Sequence, residues 1–347
     1  MSTAPALNPA VRQVARLTVA EVADVLALAR AAGDADGSDP LGEHVILSIR
    51  HGGTAAVHLL AHRADGRLAG YAHLERAATD NGPTATDNGP TAGDGGHAAG
   101  GDGRTGEAAG AAAELVVHPA HRRHGLGRAL AVAALAAAHP GGAAAGGTGL
   151  RVWAHGDHPG ARALARTLGF HRARVLWQLR RPSAAALPEV PVPAGVTLRA
   201  FRPGVDDAAW VRLNSRAFAT HPEQGRWTGA DLRVRMSEPW FDPAGFLLAV
   251  DGTGSLLGFH WTKVHAEGAG GGRREPIGEV YVLGVDPAAH GRGLGAALTV
   301  AGLRHLRGRG LTEVLLYVDE ANRTAVALYE RLGFTRFSTD VGYQHTG

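Results

Sequence analysis

The pattern of apolar and polar residues is most informative between residues 278 and 296. A valine-rich apolar run ends at Asp286-Pro287, glycines punctuate residues 290–295, and a long pattern of Ala, Leu and Val follows. This order predicts a strand, a loop and a helix. The first N–H groups of such a helix lack intrahelical partners and suit a phosphate or pyrophosphate. Glycine turns of this kind also have purely structural uses, so the stretch alone leaves both interpretations open.

The same order of elements occurs earlier in the chain. Residues 112–118 form an apolar run, residues 122–127 contain a glycine loop, and an alanine-rich helical pattern follows. In each copy a strand-like run (150–154 or 312–318) then leads to a helical segment (161–168 or 319–334), and a Leu-Gly-Phe sequence closes the pattern. Because the loops and the Leu-Gly-Phe sequences occupy equivalent places, the chain is predicted to be a tandem repeat of one domain type.

Composition suggests the limits of the two copies. Residues 182–193 are rich in proline, and the heptapeptide T-D-N-G-P-T-A occurs twice in succession from Thr79, within a polar, glycine-rich tract that is unable to bury a core. We predict an N-terminal domain at 1–181 with a disordered insertion at 79–107, a linker at 182–195 and a C-terminal domain at 196–347. Other apolar patterns predict helices at 14–32 and 205–219 and strands at 44–50, 55–63, 68–76, 196–201, 246–250 and 256–265.

Composition also narrows the class of protein. The chain has 347 residues, 45% of them hydrophobic, and a formal net charge of +3 without a polybasic tract, so we expect a globular protein that does not bind nucleic acid. It has no cysteine, which excludes disulfides and thiolate chemistry, and its histidines lack a metal-site spacing, so we expect no metal. No apolar run reaches the roughly 18 to 20 residues of a membrane span, so we expect a cytoplasmic location.

The glycine loop at residues 290–295 differs from two common nucleotide-binding motifs. A spacer separates it from its strand, unlike a dinucleotide fingerprint, and it lacks the Gly-Lys-Ser/Thr of a Walker loop. It resembles the acyl-CoA pyrophosphate loop of the Gcn5-related N-acetyltransferase (GNAT) family, Gln/Arg-x-x-Gly-x-Gly/Ala, with His290 in the first position. Asn322, Ala325, Tyr329 and the following Leu-Gly-Phe match that family's final motif in order and spacing.

The resemblance implies a fold and a co-substrate. The fold is α/β, with two tandem GNAT-type acetyltransferase domains, each a mixed, mostly antiparallel sheet flanked by helices with a splayed central strand pair. The co-substrate is acetyl-CoA.

Amine acetylation requires a polarised thioester, a neutral amine and a proton for the leaving thiolate. In the GNAT family a backbone N–H at the end of the fourth strand polarises the thioester, and Leu283 matches that position. We expect Glu279, at the start of an apolar strand, to be the general base and Tyr329, on the last helix, to be the general acid. Each residue has a simpler interpretation, Glu279 as a solvated strand-end residue and Tyr329 as a packing residue.

The N-terminal copy lacks both proton-transfer groups. Aligning the Leu-Gly-Phe sequences places Ala165 opposite Tyr329, and aligning the residues before the loops places Ala111 opposite Glu279. Glu114, within the strand of this copy, is interpreted as an edge or salt-bridge residue. We therefore expect the N-terminal copy to bind acyl-CoA or to serve as a structural half, without catalysis.

A closer resemblance covers nearly the whole chain outside the tract at 79–106 and a second predicted insertion at 266–274. The segments L-G-E-H from Leu41, A-F-A-T-H-P-E-Q-G from Ala217, W-T-K from Trp261 and E-V-Y-V-L-G-V-D-P from Glu279 resemble the mycothiol synthase family of actinobacteria. This implies acetylation of the cysteinyl amine of cysteinyl-glucosaminyl-inositol (desacetylmycothiol), the last step of mycothiol biosynthesis, and we expect a monomer. Two alternatives remain, a tandem acetyltransferase of another amine such as an aminoglycoside or a protein N-terminus, and an acyl-CoA sensor without turnover.

The resemblance also implies site residues at matching positions. The acceptor contacts are Glu43, Glu223, Lys263, Glu279 and Tyr317. The acetyl-CoA contacts of the C-terminal copy are Leu283, Gly284, Val285, His290, Gly291, Arg292, Gly293, Leu294, Gly295, Ala296, Asn322, Arg323, Thr324, Ala325, Val326 and Ala327. Those of the N-terminal copy are Leu115, Val116, Val117, Arg123, His124, Gly125, Leu126, Gly127 and Arg128.

Overall fold

The first half of the chain alternates strands and helices in an irregular order. The structure is a computed structural model that describes residues 10–52, 56–76, 110–138, 149–219, 224–266 and 275–346. The predicted insertion at 79–107 lies outside these ranges. The elements of the first half are β1 (Val11–Val14), α1 (Val19–Asp36), α2 (Glu43–His51), β2 (Ala56–His62), β3 (Leu68–Glu75), β4 (Ala112–Val117), α3 (Leu126–Ala138), β5 (Leu150–Ala154), α4 (Pro159–Thr167) and β6 (His171–Pro182).

The second half repeats this order of elements, as the sequence predicts for a tandem repeat. Its elements are β7 (Val196–Ala200), α5 (Asp207–Ala217), α6 (Gly229–Met236), β8 (Phe246–Asp251), β9 (Leu256–His265), β10 (Ile277–Val285), α7 (Leu294–Gly308), β11 (Glu313–Asp319), α8 (Arg323–Arg331) and β12 (Thr335–His345). Among the described residues, no helix is long and apolar enough to cross a membrane.

The described strands form one sheet with the order β1-β2-β3-β4-β5-β12-β6-β11-β10-β9-β8-β7. β4 and β5 are parallel, as are β10 and β11, and the other neighbouring pairs are antiparallel. The predicted mixed, mostly antiparallel sheet is therefore confirmed.

The final strands of the two halves are exchanged. β12, which ends the second half, pairs with β5 of the first half through residues such as Val341 and Ala154. β6, which ends the first half, pairs with β11 of the second half through residues such as Leu179 and Leu316. β6 and β12 also pair with each other, so the two halves share a continuous sheet. We predicted neither strand, because both are rich in polar residues and lack a clear apolar alternation.

Helices cover both faces of the sheet because the strands alternate their side chains between two cores. In β2, Leu59 faces a core formed with α3, whereas the adjacent Leu60 faces a core formed with α1 and α2. The second half has the same arrangement, with α7 and α8 on one face and α5 and α6 on the other.

Two predicted elements near the N-terminus are wrong. The helix predicted from residue 14 begins at Val19, because Thr18 and Glu21 form a capping box, and Val14 belongs to β1. The strand predicted at 44–50 is helix α2. The N-terminus of α2 is anchored by a residue far along the chain, since the backbone N–H of Gly42 donates to the Glu114 carboxylate at 2.5 Å. A contact between residues 72 positions apart overrides the local strand-like pattern.

A buried charge cluster joins β12 to the first half. The Nδ1 atom of His155 lies 2.9 Å from an Asp340 oxygen, and its Nε2 atom lies 3.7 Å from Glu114. The backbone N–H of Gly156 donates to the other Asp340 oxygen at 2.9 Å. Burial opposes the charged form of His155, but its hydrogen bond to Asp340 and the negative charges of Glu114 and Asp340 raise its pKa to about 10. The interpretation of Glu114 as a salt-bridge residue is confirmed.

We predict that His155→Gln lowers the free energy of unfolding most at mildly acidic pH. The folded-state pKa lies above the usual value of 6.5, so the stabilisation is complete below pH 6.5 and is lost as the pH rises through about 10. Urea unfolding of both proteins should give a difference of about 2–4 kcal/mol at pH 6 that shrinks toward pH 10. A difference that is constant across this range would contradict a charged His155.

Candidate active site

The parallel strands β10 and β11 separate after a short paired stretch. Within these two described strands, only Gly278 and Glu279 of β10 pair with β11, although β10 continues to Val285. On its other side β10 pairs with β9 up to Val285, with a bulge at Tyr281. Glu279 is therefore the last paired residue before the strands diverge, a position called here the splay point. The predicted splayed central pair is confirmed.

Glu279 is a buried carboxylate at the splay point. It is 7% exposed, and its Oε2 atom lies 2.6 Å from Nε2 of His265 on β9. Its direct cross-strand partner on β9 is Lys263. The alternative interpretation of Glu279 as a solvated strand-end residue is wrong, because β10 begins before it and the side chain is covered.

An ion pair between the two halves lies beside Glu279. Lys263 is 7% exposed and binds the carboxylate of Glu43, the first residue of α2. Its ammonium also lies 4.7 Å from the ring centre of Trp240 and 5.2 Å from that of Tyr281. A residue from the first half thus pairs with a buried charge of the second half beside Glu279.

The bulge residue Tyr281 connects this ion pair to a buried arginine. The Nε–H of Arg235 donates to the Tyr281 hydroxyl at 2.9 Å, and the Arg235 guanidinium lies 3.6 Å from the ring centre of Trp227. Burial, and then the charge of Glu43, raise the pKa of Tyr281 above its usual range, so the phenol stays protonated. The surroundings of the Glu43–Lys263 pair therefore combine aromatic rings with fixed hydrogen-bonding groups.

Tyr317 lies near Glu279, whereas the last predicted acceptor contact is not described. Tyr317 is 47% exposed, and its hydroxyl accepts a hydrogen bond of 2.7 Å from Gln178. Although nearly half of the residue is exposed, desolvation and the neighbouring carboxylates of Glu279 and Asp340 raise its pKa. Glu223 lies outside the described residues.

Tyr329 is buried near the C-terminus of α8. It is 7% exposed and packs edge-to-face on Phe334 at a ring-centre distance of 5.7 Å. Burial raises the pKa of Tyr329 to about 12, so its hydroxyl carries a proton at neutral pH. Equivalent backbone hydrogen bonds are found at the C-terminal ends of α8 and α4. The N–H of Phe334 donates to the carbonyl of Tyr329, and the N–H of Phe170 donates to the carbonyl of Ala165. Ala165 is therefore the structural counterpart of Tyr329 in the first half.

The predicted pyrophosphate loop has the geometry that its glycines suggest. Gly291 and Gly293 adopt φ values of +75° and +78°, a region that favours glycine, and α7 begins at Leu294. A Cβ atom at either glycine would meet nothing within 4 Å, so the loop surface is open to a ligand. At the start of α8, the Asn322 side chain accepts a hydrogen bond from the Ala325 N–H. The open loop leads directly into a helix N-terminus, which suits a pyrophosphate.

The first residue of each loop ties the loop to its strand. The His290 imidazole lies 3.1 Å from the carbonyl oxygen of Val285, to which it donates. In the first half the Nε–H of Arg122 donates to the carbonyl of Val117, also at 3.1 Å. The departure from the family pattern at His290 therefore preserves a hydrogen bond, a role that the motif alone does not reveal.

The first half contains a cleft of about 540 Å³ between β4 and β5. Predicted acetyl-CoA contacts line it, namely Leu115, Val116, Val117, Arg123, Gly125, Gly127 and Arg128. Leu126 instead lies in the core below. Arg123 has a φ of +65°, a strained value for a residue with a side chain.

Strand registers align the two halves residue by residue. Val117 pairs with Gly70 in the first half as Val285 pairs with Gly258 in the second. The bulge at Tyr281 adds one residue to β10, and β4 has no bulge against β3. Residues of β10 that precede the bulge are therefore offset by one position relative to their counterparts in β4.

The counterpart of Glu279 in the first half is Ala112. Glu279 is opposite Lys263 on β9, and Ala112 is opposite the equivalent Glu75 on β3. Our predicted counterpart, Ala111, is wrong by one position, because alignment from the loops does not include the bulge. The first half has alanine at this place in either alignment.

Sequence reasoning missed several side chains around Glu279. His265 follows Lys263 by two positions on the same strand face, so the period of a strand would have identified it. Arg235 and Trp240 lie on or after α6, far along the chain from β10, and no local pattern marks them. Within the described ranges, no three His, Cys, Asp or Glu side chains are grouped so as to hold a metal ion.

Comparison with known proteins identifies the family. The model of the acetyltransferase (GNAT) family matches residues 209–334. A mycothiol acetyltransferase of Salinispora arenicola is 59% identical over 333 residues, which cover 95% of each chain. The chain belongs to the mycothiol acetyltransferase family. Another member, from Thermobispora bispora, is 50% identical over 96% of this chain and 99% of its own.

Solved structures support the fold of this mycothiol acetyltransferase family member. A GCN5-related N-acetyltransferase from Sphaerobacter thermophilus has a TM-score of 0.62 at 24% identity, covering 96% of this chain and 95% of its own. A tandem GNAT protein from the clavulanic acid biosynthesis pathway has a TM-score of 0.63 at 21% identity, covering 97% and 98%. The chain is an acyl-CoA-dependent N-acetyltransferase with two tandem GNAT units.

We predict that His290→Ala raises the KM for acetyl-CoA about five-fold with little change in kcat, since it removes one hydrogen bond worth about 1 kcal/mol. His290→Arg should restore the wild-type KM, because an arginine makes the equivalent bond in the first half. Steady-state kinetics with varied acetyl-CoA would measure both. Arg122→Ala is the matched control and should leave this KM unchanged. An unchanged KM in His290→Ala would show that the bond does not hold the loop.

Proposed function

We propose that the protein transfers an acetyl group from acetyl-CoA to the cysteinyl amine of cysteinyl-glucosaminyl-inositol, the last step of mycothiol biosynthesis. The observation that carries this proposal is a buried carboxylate, Glu279, at the splay point beside an inter-half pair of Glu43 and Lys263. The identity of 59% to a mycothiol acetyltransferase supports the acceptor.

Two side chains supply the proton transfers in this proposal. The amine nitrogen forms a bond to the acetyl carbon, and the carbon–sulfur bond breaks. Glu279 takes the proton that the amine loses, and Tyr329 gives its hydroxyl proton to the leaving sulfur. The Tyr329 hydroxyl carries a proton at neutral pH, as a donor must, and burial, which raises its pKa to about 12, makes it a weaker acid than a free phenol. The backbone N–H of Leu283, beyond the splay point, would polarise the thioester.

The acceptor site lies between the halves. Glu43, Lys263 and Tyr317 would bind the hydroxyls of the sugar and inositol, together with Glu223. A sugar–inositol acceptor suits a wall of paired charges and rings, because buried hydrogen-bonding groups discriminate strongly against acceptors that leave them unpaired. A polycationic aminoglycoside would instead meet the Lys263 ammonium.

The first half would hold a second acetyl-CoA without turnover. Its cleft of about 540 Å³ supports this, as does the alanine at each catalytic counterpart. We further propose domain limits of 1–181 and 196–347 around a linker at 182–195, and a monomeric cytoplasmic enzyme that binds no metal and no nucleic acid.

We expect Glu279→Gln and Tyr329→Phe to lower kcat for the cysteinyl acceptor by roughly 10²-fold or more, because each removes a proton-transfer group while keeping its shape. Acetyl-CoA consumption would be measured with this acceptor and with an aminoglycoside. Glu330→Gln, an exposed change on α8, is the matched control. Efficient turnover of only the aminoglycoside would contradict the proposed acceptor. Tight acetyl-CoA binding without turnover of either would favour a sensor.

We expect calorimetric titration to detect two acetyl-CoA molecules per chain. The double variant Arg123→Glu and Arg128→Glu should bind one, since charge reversal beside the first-half cleft repels the phosphates. Its kcat should remain within about two-fold of wild type. Arg166→Glu, an exposed reversal on α4 outside the cleft lining, is the control. A wild-type stoichiometry of one would contradict a second site.

A further inference from the structure

His265 is the last residue of β9 and contacts Glu279 directly. Its Nε2 atom lies 2.6 Å from Oε2 of Glu279, and its side chain is 26% exposed whereas that of Glu279 is 9% exposed. We propose that His265 is a positioning residue, which holds one oxygen of the Glu279 carboxylate so that the other faces the acceptor amine. This role rests on the proposed function, in which Glu279 is the base.

Strand geometry determines the contact. Glu279 is directly opposite Lys263, so His265, two positions further along β9, approaches the carboxylate diagonally from the same sheet face. Lys263 does not take that place, because its ammonium binds Glu43. Within the described part of the chain, Oε1 of Glu279 has no hydrogen bond, so one oxygen is held and one is available.

The hydrogen bond matters because the carboxylate is otherwise free to rotate. A base must present a lone pair within hydrogen-bond distance of the proton that it takes, and small errors in orientation lower the rate strongly. A donor at Oε2 fixes the plane of the carboxylate. This effect acts through Glu279 and does not require His265 to touch the acceptor.

Other charged groups surround this pair and must be included in any pH experiment. Lys263 is on the same strand, and the Tyr317 phenol on β11 interacts with the Glu279 carboxylate. Asp39, in the turn before α2, interacts electrostatically with His265, His155 and Lys263. A shift in pH dependence is therefore assigned to His265 only by comparing variants of the same chain.

His265 is suited to substitution because it belongs to none of the buried apolar cores of the described residues. His265→Ala removes the donor. His265→Gln places an amide nitrogen close to the position of Nε2 and keeps a donor. His171→Ala, an exposed histidine at the start of β6, is the matched control and should behave as wild type.

The experiment measures kcat, both KM values and the pH profile of kcat/KM for these variants, with Glu279→Ala and the double variant Glu279→Ala/His265→Ala. We expect His265→Ala to lower kcat at least ten-fold with the acetyl-CoA KM within two-fold of wild type. The acidic limb of its kcat/KM profile should shift, because the carboxylate has lost its hydrogen-bond donor. His265→Gln should recover most of the lost kcat and most of the wild-type pH profile. In the Glu279→Ala background, His265→Ala should have no further effect.

Several results would overturn this role. One is a His265→Ala enzyme with wild-type kcat and an unshifted limb, while Glu279→Ala is impaired. Another is an equal loss from His265→Ala with and without Glu279, which would show that the histidine acts independently. Equal impairment of the Ala and Gln variants without a shifted limb would also exclude positioning. Wild-type turnover by Glu279→Ala would instead show that Glu279 is not the base, which would overturn the proposed function.

Discussion

The separation of β10 from β11 is the constraint on which the site depends. Two central strands of a sheet normally satisfy each other's N–H and C=O groups along their length, but here their pairing ends at Glu279. The sheet remains continuous because β9 and β6 hold the outer sides of the pair. Backbone on both sides therefore fixes the carboxylate at the splay point. β4 and β5 likewise pair only from Ala112 to Glu114 before the first-half cleft opens.

Equivalent positions in the two halves carry different chemistry on the face opposite α3 and α7. In the second half Phe246 and Trp261 stack at a ring-centre distance of 4.3 Å. In the first half His58 and His73 occupy these places, and the Tyr71 hydroxyl lies 2.7 and 3.3 Å from their Nδ1 atoms. Burial, and then the neighbouring His73, lower the pKa of His58 to about 4, so it remains neutral. The half with the aromatic cluster also carries Glu279, whereas the half with the buried His58, Tyr71 and His73 group has alanine there.

Local sequence patterns predicted the features that depend on neighbouring residues in the chain. The two loops, their helices and Glu279 on an apolar strand followed from periodicity and motif spacing. Three features did not, because each depends on distant contacts. α2 is a helix whose first turn is anchored by Glu114, the counterpart of Glu279 is shifted by a bulge against β9, and β6 and β12 gain their partners in the opposite half. The sequence motif also did not predict the hydrogen bond of His290 to Val285, since a motif records residue types and not the atoms that they contact.

The exchange of final strands has a consequence for synthesis on the ribosome. β5 is complete after residue 154, but its native neighbour, β12, comprises Thr335–His345 at the end of the chain. The edge of β5 therefore lacks this partner until β12 has been synthesised, while β6 leaves the ribosome much earlier and awaits β11. Unpaired strand edges promote association between chains, so the nascent first half is exposed to mispairing throughout the synthesis of the second half. Emergence of β12 from the ribosome, rather than completion of the first half, is the event that closes its sheet.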